Sequence, residues 1–138
     1  MKKVFSLFSK LFLFLALVFT PKAFAAQISD VAADFWASAE INQMVDEGIM
    51  SLDANGNFNP LGSVERADFT SMLIKVLNQS GLEIYIENPF EDVDTTTEHY
   101  DDIMRSEQIG LVYGYPDGTF KPKNDVNKAE VTSAVSHI

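Results

Sequence analysis

The sequence predicts a mainly α-helical protein in which two copies of one helix-turn-helix unit pack as a helical bundle. Two observations support this fold. Sliding the chain over itself by 62 residues aligns a series of marker residues without a gap. Within each copy, apolar residues recur at the three- and four-residue spacing of amphipathic helices. The expected parts are a leader at 1–25, a first unit at 26–80, a short extended connector at 81–89 and a second unit at 90–138.

The leader has the three parts of a secretory signal, namely Lys2 and Lys3, an apolar run, and a small-x-small site at 23–25. An uncleaved membrane anchor is the alternative. Because Lys10 interrupts the apolar run, too few residues remain for a span of about 20. We therefore expect cleavage near Ala26, export of the protein, and no membrane span afterwards.

Charge and composition exclude several functions. The four lysines of the leader leave 6 basic and 20 acidic residues, a formal charge of −14, which argues against a nucleic-acid partner. Without cysteine the chain has no disulfide framework, no zinc-thiolate site and no cysteine nucleophile. We expect no cofactor.

The repeat markers include glycines, aromatic residues and an acidic residue, which occupy different structural roles. The aligned pairs are Asp30/Asp92, Val31/Val93, Ile41/Ile103, Gly48/Gly110, Gly56/Gly118, Phe58/Phe120, Pro60/Pro122, Val64/Val126 and Ala67/Ala129. The opening helix of the first unit should end at Gly48, and that of the second should carry Tyr100 and Ile103.

The closing helix of each unit is predicted to bury one apolar stripe. The stripes are Phe69, Met72, Leu73, Val76 and Leu77 in the first unit and Val131, Ala134, Val135 and Ile138 in the second. Asn127 and Glu130 fit a capping box, whereas Glu65 is a poor cap and Ser63 is the alternative.

The segments between these helices favour turns. Residues 115–120 place proline and glycine for a tight turn, and 53–58 fill the same position. A calcium loop at 53–64 is disfavoured because Phe58 and Val64 stand where glycine and glutamate are needed, so we predict no metal site. Residues 82–87 alternate with period two, which predicts a short strand or an extended connector.

On the runs 114–122, 64–68 and 126–130, both units resemble S-layer homology (SLH) domains. The resemblance implies an exported protein held noncovalently to the cell wall or cell envelope. The implied partner is pyruvylated secondary cell-wall polysaccharide or peptidoglycan-linked glycan. Three such repeats usually form a pseudo-threefold bundle with grooves between neighbours, so two repeats imply an incomplete bundle.

The resemblance also assigns glycan-binding positions. Its Thr-Arg-Ala-Glu motif places Arg66 and Asp68 in the first unit and Lys128 and Glu130 in the second, and Trp36 matches its aromatic position. Threonine is replaced in both motifs, and lysine lacks the planar fork of arginine. A cation in the first helical turn, near unpaired backbone N–H groups, would suit an acidic group on the glycan.

Other interpretations remain open. Arg66 and Lys128 could be surface cations paired with a nearby acid, and Trp36 could lie in the core. The leading function is noncatalytic anchoring. The alternatives are a module that completes its bundle with another chain or by self-association, and the N-terminal anchor of a larger protein. An enzyme is disfavoured because no catalytic pair is evident and His99 and His137 are expected to be solvated.

Overall fold

The computed structural model describes residues 28–138, and the predicted leader lies outside the described residues. Four helices follow one another as α1 (Ser38–Asp46), α2 (Arg66–Val76), α3 (Tyr100–Gln108) and α4 (Lys128–Val135). Within 28–138 there is no strand, only an isolated antiparallel bridge between Glu65 and Asp125. The predicted mainly α-helical fold is confirmed. None of the described helices has the length and apolarity needed to cross a membrane.

The 62-residue repeat is visible in the backbone. Gly48 and Gly110 both have φ of 70°, and Gly56 and Gly118 have φ of 79° and 81°. Glycine adopts this left-handed conformation at little cost, which explains its place after each opening helix and in each turn. The two predicted units therefore share one backbone plan.

An aspartate ties the start of each unit to its turn. The Asp30 carboxylate accepts hydrogen bonds from the N–H groups of Phe58 (2.9 Å) and Asn59 (2.6 Å). The Asp92 carboxylate accepts the equivalent bonds from Phe120 (2.7 Å) and Lys121 (2.8 Å). The bond from Phe58 is the largest of the contacts that keep the pKa of Asp30 below its usual value. This aspartate holds the turn phenylalanine against the core in each copy.

The main hydrophobic core draws on both units. Ala67 and Ile74 of α2 pack there with second-unit residues, which include Phe90, Ile103 and Phe120. A smaller cluster contains Ile28, Val31 and Ile41 of the first unit. The closing helix of the first unit thus covers the opening helix and turn of the second, so the two units share a core.

The predicted stripes on α2 and α4 are only partly buried. On α2 the fully buried apolar residues are Ala67 and Ile74, which the predicted stripe did not contain, whereas Val76 of that stripe is 59% exposed. On α4 Ala134 is buried, but Val135 and Ile138 are 55% and 65% exposed. The prediction that both stripes point inward is wrong at Val76, Val135 and Ile138. On α4 the last two are exposed because within 28–138 no further element covers that side of the helix.

The two closing helices are capped differently. At α4 the predicted capping box is confirmed, since the Asn127 side chain accepts from the N–H of Glu130 and the Glu130 carboxylate accepts from the N–H of Asn127. At α2 the N-cap Glu65 makes no such bond, and Ser63 is not the cap. Carbonyl groups of the second unit accept from the first α2 N–H groups instead.

The connector at 81–89 forms no strand and is held by side chains of α3. Arg105 Nε donates to the carbonyl of Leu82 (2.9 Å), and Gln108 Nε2 donates to that of Glu83 (2.9 Å). Gln108 also accepts from the N–H of Tyr85 (3.0 Å). Of the two predicted alternatives the short strand does not form, because helix side chains and not a partner strand bond this backbone.

Candidate functional site

Arg66 lies at the junction of the two units and is 3% exposed. Its Nε donates to the carbonyl of Phe120 (2.9 Å) and its Nη2 to that of Tyr113 (3.1 Å). Its Nη1 lies 3.2 Å from the Glu130 carboxylate, and the guanidinium carbon lies 4.7 Å from the ring centroid of Tyr115. The guanidinium of the first unit is therefore held by groups of the second.

The acidic partner of this arginine is itself well supported. Tyr115 donates its hydroxyl proton to Glu130, and this bond is the main reason that the pKa of Tyr115 is raised. Burial acts to raise the pKa of Glu130, but bonds from Tyr115, the Asn127 N–H and Arg66 bring it below its usual value. Glu130 is thus kept ionised opposite the buried cation.

Backbone contacts surround this ion pair. The N–H of Arg66 donates to the carbonyl of Asn124 (2.8 Å), that of Ala67 to Pro122 (3.0 Å), and that of Val126 to Val64 (2.9 Å). The first two of these bonds occupy the N–H groups of the first two residues of α2. The prediction of unpaired N–H groups beside Arg66 is wrong at Arg66 and Ala67, because the second unit supplies acceptors for these two.

A groove of about 450 Å³ runs along α2. The loop between α1 and α2 forms one side, Asp68, Ser71, Met72 and Lys75 form the floor, and Glu98 and His99 of the second unit close one end. Asn57 and Asn59 add amide groups from the loop. Both polar and apolar groups therefore line this groove.

Three titratable side chains meet at the end of the groove. His99 Nε2 lies 3.1 Å from Asp68 Oδ1 and 3.9 Å from Glu98 Oε1. Lys123 donates to Glu98 Oε2 (2.9 Å), and this bond is the main reason that the pKa of Glu98 is lowered. Lys123 also lies 2.9 Å from the Glu65 carboxylate. The expectation that His99 is solvated is wrong, because its side chain is only 20% exposed between these acids.

The predicted site residues do not form one cluster. Arg66 and Glu130 are paired, and Asp68 lines the groove. Lys128 is exposed and makes no ion pair with any described residue. Trp36 is 86% exposed beside Phe35, which excludes the core interpretation. Arg66 is buried, which excludes the surface-cation interpretation for that residue, although its partner is one of the acids considered.

Sequence reasoning missed Lys75 and His99 as groove residues. Lys75 follows Asp68 by seven positions, and seven residues make two turns of one helix face, so helical spacing could have found it. His99 comes from the other unit, and its approach to α2 depends on a tertiary contact that no local pattern encodes.

Comparison with known proteins places this architecture in a family. The family model described as S-layer homology domain matches residues 27–70 and 89–132. The chain is 32% identical over 111 residues to the Surface-layer 125 kDa protein of Lysinibacillus sphaericus, covering 80% of this chain and 9% of that protein. It is 28% identical to Cell surface glycoprotein 1 of Acetivibrio thermocellus, covering 81% and 5%.

A third relative is the Cellulosome-anchoring protein of Acetivibrio thermocellus, which is 26% identical and matches 78% of this chain and 24% of its own length. The chain therefore spans less than a quarter of each of these three proteins.

Proposed function

This chain belongs to the S-layer homology family, and from that premise we propose that it is a noncatalytic module that anchors to cell-envelope glycan. The observation that carries the proposal is the groove along α2, which the first repeat lines and the second repeat closes at one end. The similarity to surface-layer and cellulosome-anchoring proteins supports a place at the cell surface. The leader predicted at 1–25 supports export.

The groove chemistry suits a polyhydroxylated chain. Carboxylate and amide groups such as those of Asp68 and Asn57 accept and donate bonds to sugar hydroxyls. Lys75 supplies a cation for an acidic substituent such as a pyruvyl ketal. A net charge near −14 repels an anionic polymer, but a Debye length of about 8 Å at physiological salt confines that repulsion to nearby charges.

The five residues that the resemblance assigns to glycan binding have different roles, which follow from where each one lies. Asp68 faces the ligand from the groove, and Arg66 acts as a positioning residue that holds the second repeat with Glu130. Trp36 and Lys128 are exposed, so they offer a stacking surface and a cation to other stretches of the polymer. Several weak contacts along one polymer raise the overall avidity.

Retention on purified wall sacculi tests the proposal. The chain without its leader should co-sediment with intact sacculi, and Lys75→Glu should weaken retention at least about tenfold, a change of about 1.4 kcal/mol. Lys121→Glu is the matched control because Lys121 lies outside the groove and pairs with Asp117 (3.0 Å). If stripping the wall polysaccharide chemically, with peptidoglycan left intact, leaves retention as high as on untreated sacculi, binding is to peptidoglycan. Equal retention of both lysine variants would contradict a groove site.

A second candidate function is assembly with a further repeat, and the unequal burial of the two closing helices favours it. Ala67 and Thr70 of α2 are 1% and 0% exposed beneath the second repeat. Their counterparts Ala129 and Thr132 on α4 are exposed. Conversely, Phe120 is fully covered by α2, whereas its counterpart Phe58 is only half-buried. The two ends of the molecule thus present complementary halves of the interface that joins the repeats.

Light scattering across a concentration series tests assembly. The chain should grow beyond a monomer as its concentration rises, and Val135→Asp on the exposed face of α4 should reverse this. Tyr85→Asp is the control because Tyr85 is 78% exposed on the connector, away from α4 in sequence. A monomer at every concentration would dispose of self-association.

A further inference from the structure

The end of the groove joins one side chain of the first repeat with two of the second. We propose that Asp68, Glu98 and His99 bind a divalent transition-metal ion, for which Zn²⁺ is the probe. The two proposals share Asp68, but this one does not rest on the function proposed above, because metal binding needs no glycan in the groove.

The geometry of the three groups fits one ion. A tetrahedral zinc centre with bonds of about 2.0 Å separates its ligand atoms by about 3.3 Å. His99 Nε2 lies 3.1 Å from Asp68 Oδ1 and 3.9 Å from Glu98 Oε1. One ligand atom from each of the three residues lies within 4.8 Å of the others. Small side-chain rotations would therefore place all three around a common centre.

The donor set selects the kind of ion. Two carboxylates supply two negative charges, and the imidazole supplies a nitrogen ligand that suits zinc and its neighbours. Calcium prefers six to eight oxygen ligands, which this cluster does not offer. Lys123 bonds Glu98 Oε2 and leaves Oε1, the atom nearer His99, free for the metal.

The accessibility of the cluster leaves room for a fourth ligand. The side chains of Asp68 and Glu98 are 42% and 59% exposed, whereas His99 is 20% exposed. The cluster also forms part of the groove wall, so water or a ligand in the groove can reach the open position.

The origin of the ligands predicts a second effect. Asp68 lies on α2 of the first repeat, and Glu98 and His99 precede α3 of the second. An ion held by all three would join the repeats in the folded state only. Its binding should therefore stabilise the native protein, and the stabilisation should grow with the logarithm of the free metal concentration once that exceeds the Kd.

Calorimetric titration of the tag-free chain with zinc chloride tests the site. We expect one Zn²⁺ per chain, weaker binding of Ca²⁺, and a rise in Tm with added zinc. His99→Ala and Asp68→Asn should each weaken zinc binding at least about tenfold, since each removes one of three protein ligands. His137→Ala is the matched control because His137 is exposed and lies outside the groove. Its ring centroid lies 5.6 Å from that of Tyr113.

A loss of zinc binding counts only in a variant that is still folded. Circular dichroism establishes that each one is folded, and Asp68→Asn keeps the size of the side chain where His99→Ala does not. Absence of saturable zinc binding in the parent chain, or unchanged affinity in both ligand variants, would overturn the site. An affinity for Ca²⁺ equal to that for Zn²⁺ would overturn the role of the imidazole.

Discussion

Replacing Arg66 with methionine is expected to lower the free energy of unfolding by about 3–5 kcal/mol, the usual cost of removing one partner from a buried ion pair. The change leaves the Glu130 carboxylate and the carbonyls of Phe120 and Tyr113 without their donor. Domains of this size are stable by about 5–15 kcal/mol, so the variant loses a large share of its stability. Urea unfolding followed by circular dichroism measures the loss.

The repeat supplies a matched control for this variant. Lys128 occupies the equivalent position 62 residues later and is exposed, so Lys128→Met should change stability by no more than about 0.5 kcal/mol. Adding Glu130→Gln to Arg66→Met should recover part of the loss, because the uncompensated buried charge is then removed. Equal losses for the two methionine variants would contradict the role of Arg66 as the tie between repeats.

Replacing Phe120 with alanine is expected to cost about 3–5 kcal/mol, as for other large-to-small changes in a packed core. The ring is 0% exposed, its centroid lies 5.2 Å from that of Phe90, and the Arg66 guanidinium stacks 4.7 Å above it. The substitution therefore removes packing and also the apolar support beneath the buried cation. Urea unfolding again provides the measurement.

The equivalent change in the first repeat should matter less. Phe58 is half-buried in the smaller cluster, so Phe58→Ala should cost less than half as much as Phe120→Ala. If Phe120→Ala is too unstable to measure, Phe120→Leu should still cost more than Phe58→Leu. A larger loss at Phe58 than at Phe120 would show that the second-repeat core is not the dominant one.

The sequence was sufficient for the local structure because each local feature has its own signal. The 62-residue offset predicted two matching units, the glycine positions matched left-handed backbone, and the Asn127 capping box formed as expected. These features depend on residues close in the chain or on conformations that few residue types adopt. They can therefore be predicted without knowing which distant parts of the chain pack together.

Burial was harder to predict because it depends on neighbours far away in sequence. Ser71 and Ser133 are the same residue at equivalent positions, yet Ser71 is 1% exposed and donates to Asp102 while Ser133 is exposed. Only the second repeat, packed on α2, makes this difference. The same long-range packing buries Arg66, which the family resemblance placed at a ligand, and brings His99 to the groove.

We propose that the groove along α2 holds envelope glycan, and NMR titration with solubilised wall polysaccharide tests this most directly. We expect saturable shifts of backbone signals centred on Asn57, Asp68 and Lys75. Shifts confined to Lys128 and its neighbours on α4, or no shift at millimolar sugar, would contradict it.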